Sequence, residues 1–295
     1  MTIDGILLID KPEGMTSADV VRVVKRVLRC KVGHLGTLDP FASGLLPLCL
    51  GEGTKIAQFL NAADKAYEGI IRLGQRTDTG DREGTVVEEG PLPPDLSAER
   101  CAAVAASFLG ERQQVPPMYS AVKKGGVPLY KLARKGVEVE REARRVAVHS
   151  LTLEPLDDAR LRLRLHCSKG TYVRVLAEEI GVALGSVAHL TSLRRTRFGH
   201  FRIEATIPLP VTHELAAEAL ISPRHALEEL DEIKVDVATA TQVKRGQVAA
   251  LTHLGKPRSE HTTLKLVGPD GALLAVVASD AAGRWQFARV MSPGA

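Results

Sequence analysis

The stretch Gly33-His34-Leu35-Gly36-Thr37-Leu38-Asp39-Pro40-Phe41-Ala42-Ser43-Gly44 holds three glycines, one histidine and one aspartate, with the aspartate directly before a proline. Glycines at this density mark a loop that turns sharply or lets another group approach its backbone. Asp39 is the only carboxylate in the stretch, and Pro40 biases it toward extended backbone. Two readings are open. In one, Asp39 caps a helix that begins at Pro40, an arrangement far commoner than a catalytic aspartate. In the other, the loop fixes a carboxylate beside a histidine for chemistry.

Upstream, Gly5-Ile6-Leu7-Leu8-Ile9-Asp10 is a short apolar run that ends in Lys11-Pro12-Glu13-Gly14, a buried strand leaving into a turn. Thr16 or Ser17 then caps a helix with Val20, Val23, Val24, Val27 and Leu28 on one face and Arg22, Lys25, Arg26 and Arg29 mostly on the others. Downstream, residues 41–50 are apolar and continue as helix or strand, and a glycine turn at 51–55 precedes a short helix through Leu60. Residues 65–74 alternate as a strand carrying Tyr67. Residues 75–81 are a polar turn in which Asp78 and Asp81 read as Asx-turn residues.

After a break at Pro91-Leu92-Pro93-Pro94, Ser97 starts an amphipathic helix to Leu109. Residues 113–145 form a long irregular excursion that mixes tyrosines with lysine and arginine, with a helical turn or two at 130–135; this suits a flap over nucleic acid. Residues 146–153 and 160–167 alternate at period two and pair as antiparallel strands, with Leu161, Leu163 and Leu165 on one face and Arg160, Arg162, Arg164 and His166 on the other. Residues 168–174 lead into a helix over 175–184, and 187–197 is a basic strand or strand-turn. A helical segment at 214–220 and the stretch around Pro223 form a connector. From about Ile233, short strands alternate with glycine turns at 244–247, 268–271 and 282–285, the pattern of a small β-barrel-like domain.

The 295 residues suffice for one large domain or two, and a net charge of +4 permits a polyanionic partner without demanding one. No run has the length of a membrane span. The first residues lack a basic segment before an apolar core, so no signal peptide is expected. Cys30, Cys49, Cys101 and Cys167 are far apart, which argues against a zinc knuckle or disulfide framework and for reduced thiols in a cytoplasmic protein.

Five stretches together resemble the TruB family of tRNA pseudouridine-55 synthases. They are the Gly33–Gly44 loop, Lys65-Ala66-Tyr67, Arg72-Leu73-Gly74-Gln75-Arg76-Thr77-Asp78-Thr79, Pro117-Met118-Tyr119-Ser120-Ala121, and Cys167-Ser168-Lys169-Gly170-Thr171-Tyr172-Val173-Arg174, in family order over the first 200 residues or so. The resemblance implies an α+β fold: a mixed, mainly antiparallel central sheet with flanking helices, plus a small C-terminal β-barrel-like PUA-type domain. The implied division is 1–228 for the catalytic domain and 229–295 for the RNA-binding module. The implied reaction turns one T-loop uridine of tRNA into pseudouridine, with no cofactor and no metal, by a monomer needing no protein partner.

The resemblance also carries roles. Asp39 matches the catalytic aspartate, and Arg174 the arginine that pairs with it, keeping the carboxylate ionised and aimed. Tyr67 matches the residue that stacks on the target uracil and is the best placed to assist loss of the C5 proton. His34 matches a histidine that holds the target base out of its stack. Tyr172 and Leu193 match the remaining lining of the nucleotide pocket. Lys11 is expected to support the active-site loop or a phosphate. Lys11, Arg141, Arg144, Arg145, Arg194, Arg195 and Arg197 are candidates for RNA backbone contacts. Three rivals stand beside this reading: a tRNA-folding chaperone, a guide-dependent relative with partner-binding extensions, and a glycosidase that releases free uracil.

Overall fold

The computed structural model describes residues 3–120, 122–257, 259 and 262–291. Ala121, the last residue of one quoted stretch, lies outside the described residues. The chain begins with β1 (Gly5–Lys11), α1 (Ser17–Leu28), β2 (Val32–His34) and β3 (Ser43–Leu50). A 3-10 turn (Gly51–Lys55) and α2 (Ala57–Leu60) lead to β4 (Lys65–Leu73), β5 (Gln75–Thr77) and β6 (Val86–Glu89). Then come α3 (Ala98–Ser107), β7 (Gly110–Gln114), a small hairpin of β8 (Lys123–Lys124) and β9 (Val127–Pro128), and α4 (Leu129–Ala133). The body closes with β10 (Arg144–Asp157), β11 (Arg160–Cys167), α5 (Val173–Ala183), β12 (Ala188–Phe198) and β13 (Phe201–Arg202). The remainder holds α6 (His213–Glu218), α7 (Pro223–Ala226), β14 (Asp231–Lys234), α8 (Val237–Lys244), β15 (Thr263–Val267), β16 (Leu273–Ser279) and β17 (Trp285–Val290).

The large sheet has the order β1-β3-β12-β4-β11-β10-β7, with β2 added to β3 and β13 to β12. Every neighbouring pair is antiparallel except β3 and β12, which meet in parallel over Arg194↔Ser43 and Arg195↔Gly44. Side-chain patterning follows how many faces are covered. In β1, Ile6 and Leu8 pack to one side while Leu7 and Ile9 pack to the other, so both faces are apolar and the run is continuous. In β11, Leu161, Leu163 and Leu165 are buried, whereas Arg162 and Arg164 face outward against Glu154 and Glu68. Helices α1, α3 and α5 cover the first face through Val20, Val24, Cys101, Val104, Leu176 and Ile180. Helix α1 starts at a Thr16 capping box closed by Asp19. The second face is covered at the β1-β3-β12 end by Ile56, Leu60, Ala226, Leu227, Leu273, Val276 and Met291.

Three local expectations are corrected. Asp39 does not cap a helix: its carbonyl accepts from Ala42 N–H at 3.1 Å across a turn, and the chain enters β3 instead. Helix α5 starts at Val173, so Arg174 stands in its first turn. The C-terminal strands do not close. They form a sheet in the order β14-β15-β16-β17, and β14 and β17 do not pair among the described residues. Residues 244–247 end helix α8 rather than joining two strands. Closure is unnecessary, because α8 and the 3-10 segment Val248–Leu254 cover one face of this sheet and the large sheet's apolar surface covers the other.

Gly44 sits at the parallel junction with φ +99°, and a Cβ there would lie 2.4 Å from the Arg195 carbonyl oxygen and 2.8 Å from its nitrogen. Neither contact can relax without parting β3 from β12. Gly44→Ala is therefore expected to lower stability by about 3 kcal/mol, read as a fall in the urea midpoint; an unchanged midpoint contradicts this packing.

Candidate active site

The turn after β2 brings Asp39 to the end of the sheet where β4 begins and β11 ends. Two buried side chains hold that turn from behind. Ser17 Oγ donates to the Leu38 carbonyl at 3.0 Å and accepts from the Leu38 N–H at 2.9 Å. Lys11 Nζ donates to the carbonyls of Pro12, Met15 and Pro40 at 2.9, 2.6 and 3.2 Å. Burial lowers the Lys11 ammonium to about 8, against the pull of Asp39. Lys11 thus supports the loop and is not available to a phosphate, being fully buried with its donors spent.

Arg174 is 4% exposed and binds three segments at once. Its Nε lies 2.9 Å from Asp39 Oδ2, Nη1 donates to the Thr79 carbonyl at 2.6 Å, and Nη2 donates to the Tyr119 carbonyl at 2.6 Å. Asp81 Oδ2 stands 3.6 Å from Nη1 as a second carboxylate. Removal from water pushes the Asp39 carboxyl above its ordinary value; Arg174 opposes that push and Asp81 adds to it. The Asp39 side chain keeps about a third of its surface, 35%, open to the cavity mouth.

A cavity of about 240 Å³ opens in front of Asp39, lined by Tyr67, Tyr172, Arg174, Leu193, Lys65 and Arg195 among others. That is smaller than the roughly 300–1,000 Å³ of drug-sized pockets and suits a single base. Burial raises the phenols of Tyr67 and Tyr172, so both present neutral rings. Lys65 Nζ donates to the Ala63 carbonyl at 2.6 Å, and burial lowers its ammonium to about 8. Gln114 fastens the Tyr172 backbone: its Oε1 accepts from the Tyr172 N–H at 2.7 Å and its Nε2 donates to the Tyr172 carbonyl at 3.2 Å.

Of the residues expected at the site, Asp39, Tyr67, Tyr172, Arg174 and Leu193 meet around this cavity. His34 is on β2, outside the lining, with Nδ1 buried and unpartnered; burial and Arg195 lower its imidazole. Arg195 is 0% exposed and donates to the carbonyls of Leu45 and Gly36, each at 2.8 Å, so it cannot reach an RNA backbone. Arg194, on the opposite face, forks onto Asp10 at 3.0 and 2.7 Å. In the excursion, Arg141 donates to the Pro116 carbonyl and pairs with Glu138, Arg145 pairs with Glu111, and Arg144 is exposed. Arg197 Nε donates to the Gly199 carbonyl at 2.6 Å.

Ser17, Gln114, Lys65 and Asp81 are site residues to which the sequence reading assigned no role there. Lys65 stood inside one of the five family-like stretches, and Gln114 at the start of the 113–145 excursion. Asp81 does form its Asx turn, accepting from Glu83 N–H at 3.0 Å and Thr79 Oγ at 2.8 Å, but it serves Arg174 as well. Replacing Ser17 by Ala should leave the fold intact and cost about 1–2 kcal/mol. Faster hydrogen exchange of the Leu38 amide would report the loss; wild-type protection at that amide would refute the clamp.

Residues 24–173 match the family described as TruB family pseudouridylate synthase (N terminal domain), and 174–240 match the tRNA pseudouridylate synthase B C-terminal domain. The division between the two falls inside α5, separating Arg174 from the residue before it. A tRNA pseudouridine synthase B of Aromatoleum aromaticum is 48% identical over 253 residues, covering 84% of this chain and 82% of that protein. One from Cupriavidus metallidurans is 46% identical over 284 residues, covering 93% and 90%. Among solved structures, a chain in the crystal structure of a Cbf5-Nop10-Gar1 complex superposes with a TM-score of 0.70 at 25% identity, over 99% of this chain and 86% of that one. The fold, the cavity with Asp39 beside Arg174, and these matches agree: the chain belongs to the TruB family of pseudouridine synthases, which are isomerases.

Proposed function

We propose that this chain converts uridine-55 in the T-loop of tRNA to pseudouridine, as a cytoplasmic monomer without guide RNA, cofactor, metal or obligatory protein partner. The observation that carries the reading is the single cavity faced by Asp39, Tyr67 and Leu193, with Arg174 behind the carboxylate. The family membership and the relatives' shared name, tRNA pseudouridine synthase B, support the substrate.

The uridine leaves the loop stack and enters the cavity, at a cost of a few kcal/mol offset by stacking on Tyr67 and packing against Leu193 and Tyr172. Ionised Asp39, aimed by Arg174, acts on the nucleotide so that the C1′–N1 bond breaks. The uracil turns within the cavity, C5 bonds to C1′, and the C5 proton is lost, with N1 gaining one; no atom is added overall. Tyr67 is the group placed to assist at C5. His34 supports the loop bases from outside the cavity. Arg144 and Arg197, with Arg141, Arg145 and Arg194 exchanging their carboxylate partners for phosphate, supply salt-dependent affinity. Residues 1–228 form the catalytic domain, and 229–295 a PUA-like module against the tRNA stem. The excursion between β7 and β10 acts as the flap, its base tied to Arg174 through Tyr119.

With a T-arm stem-loop tritiated at C5, wild type should release tritium without free uracil, and Asp39→Asn should lose the release while still binding the RNA. Binding by both without release from either would favour a folding chaperone. Because the chemistry needs ionised Asp39, the rate should fall on acidification with a midpoint above the ordinary carboxylate value of about 3.9. Arg174→Gln removes the opposing charge and should move that midpoint to higher pH; an unmoved acid limb would disprove the pairing's role.

A further inference from the structure

Arg195 is the largest fully buried side chain among the described residues, and no carboxylate oxygen lies within 4.0 Å of its guanidinium there. Two of its hydrogen bonds go to backbone on either side of Asp39, the carbonyls of Gly36 and Leu45. The Tyr67 phenol is the group whose attraction opposes the effect of burial on this guanidinium. The two residues are direct cross-strand neighbours, Arg195 on β12 opposite Tyr67 on β4, so their side chains share a face.

The catalytic loop is shaped to admit this guanidinium. Gly36 has φ +58°, and a Cβ there would lie 3.2 Å from Arg195 Nη1 and 2.8 Å from the Phe198 ring. Phe198 stacks beneath the guanidinium at 5.4 Å and beneath Lys65 at 4.5 Å. Fastening two carbonyls does not by itself call for a charge. A buried cation without a counter-ion is costly, and a neutral donor or apolar packing could hold the same backbone. The charge has a second place to act, the phenolic oxygen of Tyr67, in the wall of the cavity that Asp39 faces.

We propose that Arg195 is a positioning residue for Tyr67: its guanidinium, directly across the strand pair on the same face, holds the ring against the target base and sets the place and polarity of the phenolic oxygen in the wall of the cavity that Asp39 faces. This rests on the base lying between Tyr67 and Asp39. Without Arg195 the ring can still stack, but its oxygen faces no fixed atom of the substrate. One cation then sets two parts of the site together, the loop that carries Asp39 and the hydroxyl across from it.

The test is a double-mutant cycle read by single-turnover tritium release from a C5-labelled T-arm stem-loop. The proteins are wild type, Tyr67→Phe, Arg195→Lys and the double variant, each with its stem-loop Kd and thermal midpoint. Arg195→Lys should slow release about tenfold or more with Kd changed by less than about threefold, and should slow Tyr67→Phe by less than about threefold, since the hydroxyl it works through is gone. Equal slowing in both backgrounds would overturn the proposal and leave Arg195 as a fastener of the loop. Tyr67→Phe at the wild-type rate, with Asp39→Asn inactive, would overturn it as well; an active Asp39→Asn would instead overturn the reading of the site. If Arg195→Lys does not fold, Arg195→Gln, which keeps neutral donors, is run through the same cycle and judged by the same outcomes.

Discussion

The guanidinium of Arg174 is the point on which the site depends. It meets the Asp39 carboxylate, the carbonyl of Thr79 and the carbonyl of Tyr119, and so joins the glycine loop, the polar turn after β4 and the base of the excursion. A charge-assisted contact of this kind is strong because the pair is largely withdrawn from water, and costly to break for the same reason. Burial alone pushes the Asp39 carboxyl toward its protonated form. The adjacent cation offsets that, while Asp81 at 3.6 Å limits how far the offset goes. The carboxylate is therefore tuned between two opposing environments.

The sheet supplies the rigidity this tuning needs. Asp39, Tyr67, Leu193 and Arg195 stand on or beside neighbouring strands, and the β3–β12 junction sets their separation. Both faces are apolar at that end of the sheet, with three helices on one side and the C-terminal sheet helping to cover the other. The outward face of β11 needs no cover because its arginines pair with Asp157, Glu154 and Glu68. The C-terminal sheet thus has a structural duty toward the catalytic body, apart from any contact it makes with RNA.

Much of this was legible from periodicity. Alternation located β4, β10 and β11, the basic run 187–197 marked β12 as a strand or strand-turn, and the continuous apolar run in β1 announced a buried strand. The failures have physical causes. Asp39-Pro40 fits a helix cap and a tight turn equally, since both use an extended Asp followed by a fixed proline φ; only Arg174, far along the chain, decides. Val237-Ala238-Thr239-Ala240-Thr241-Gln242-Val243 alternates like a strand, yet Asp236 caps it and it buries Ala240 and Val243 as a helix. Arg194 and Arg195 look alike in sequence, but strand alternation sends one to Asp10 and the other into the core. Ser17 and Gln114 act through hydrogen bonds to residues 21 and 58 positions away, which no local pattern reveals.

The direct measurement is the titration of the Asp39 carboxyl carbon by NMR in selectively labelled protein, in wild type and in Arg174→Gln. The account predicts a midpoint above the ordinary carboxylate value in wild type and a still higher one once Arg174 is gone. A wild-type midpoint at the ordinary value, unmoved by Arg174→Gln, would mean that neither burial nor the guanidinium governs this carboxylate, and the central claim would fall.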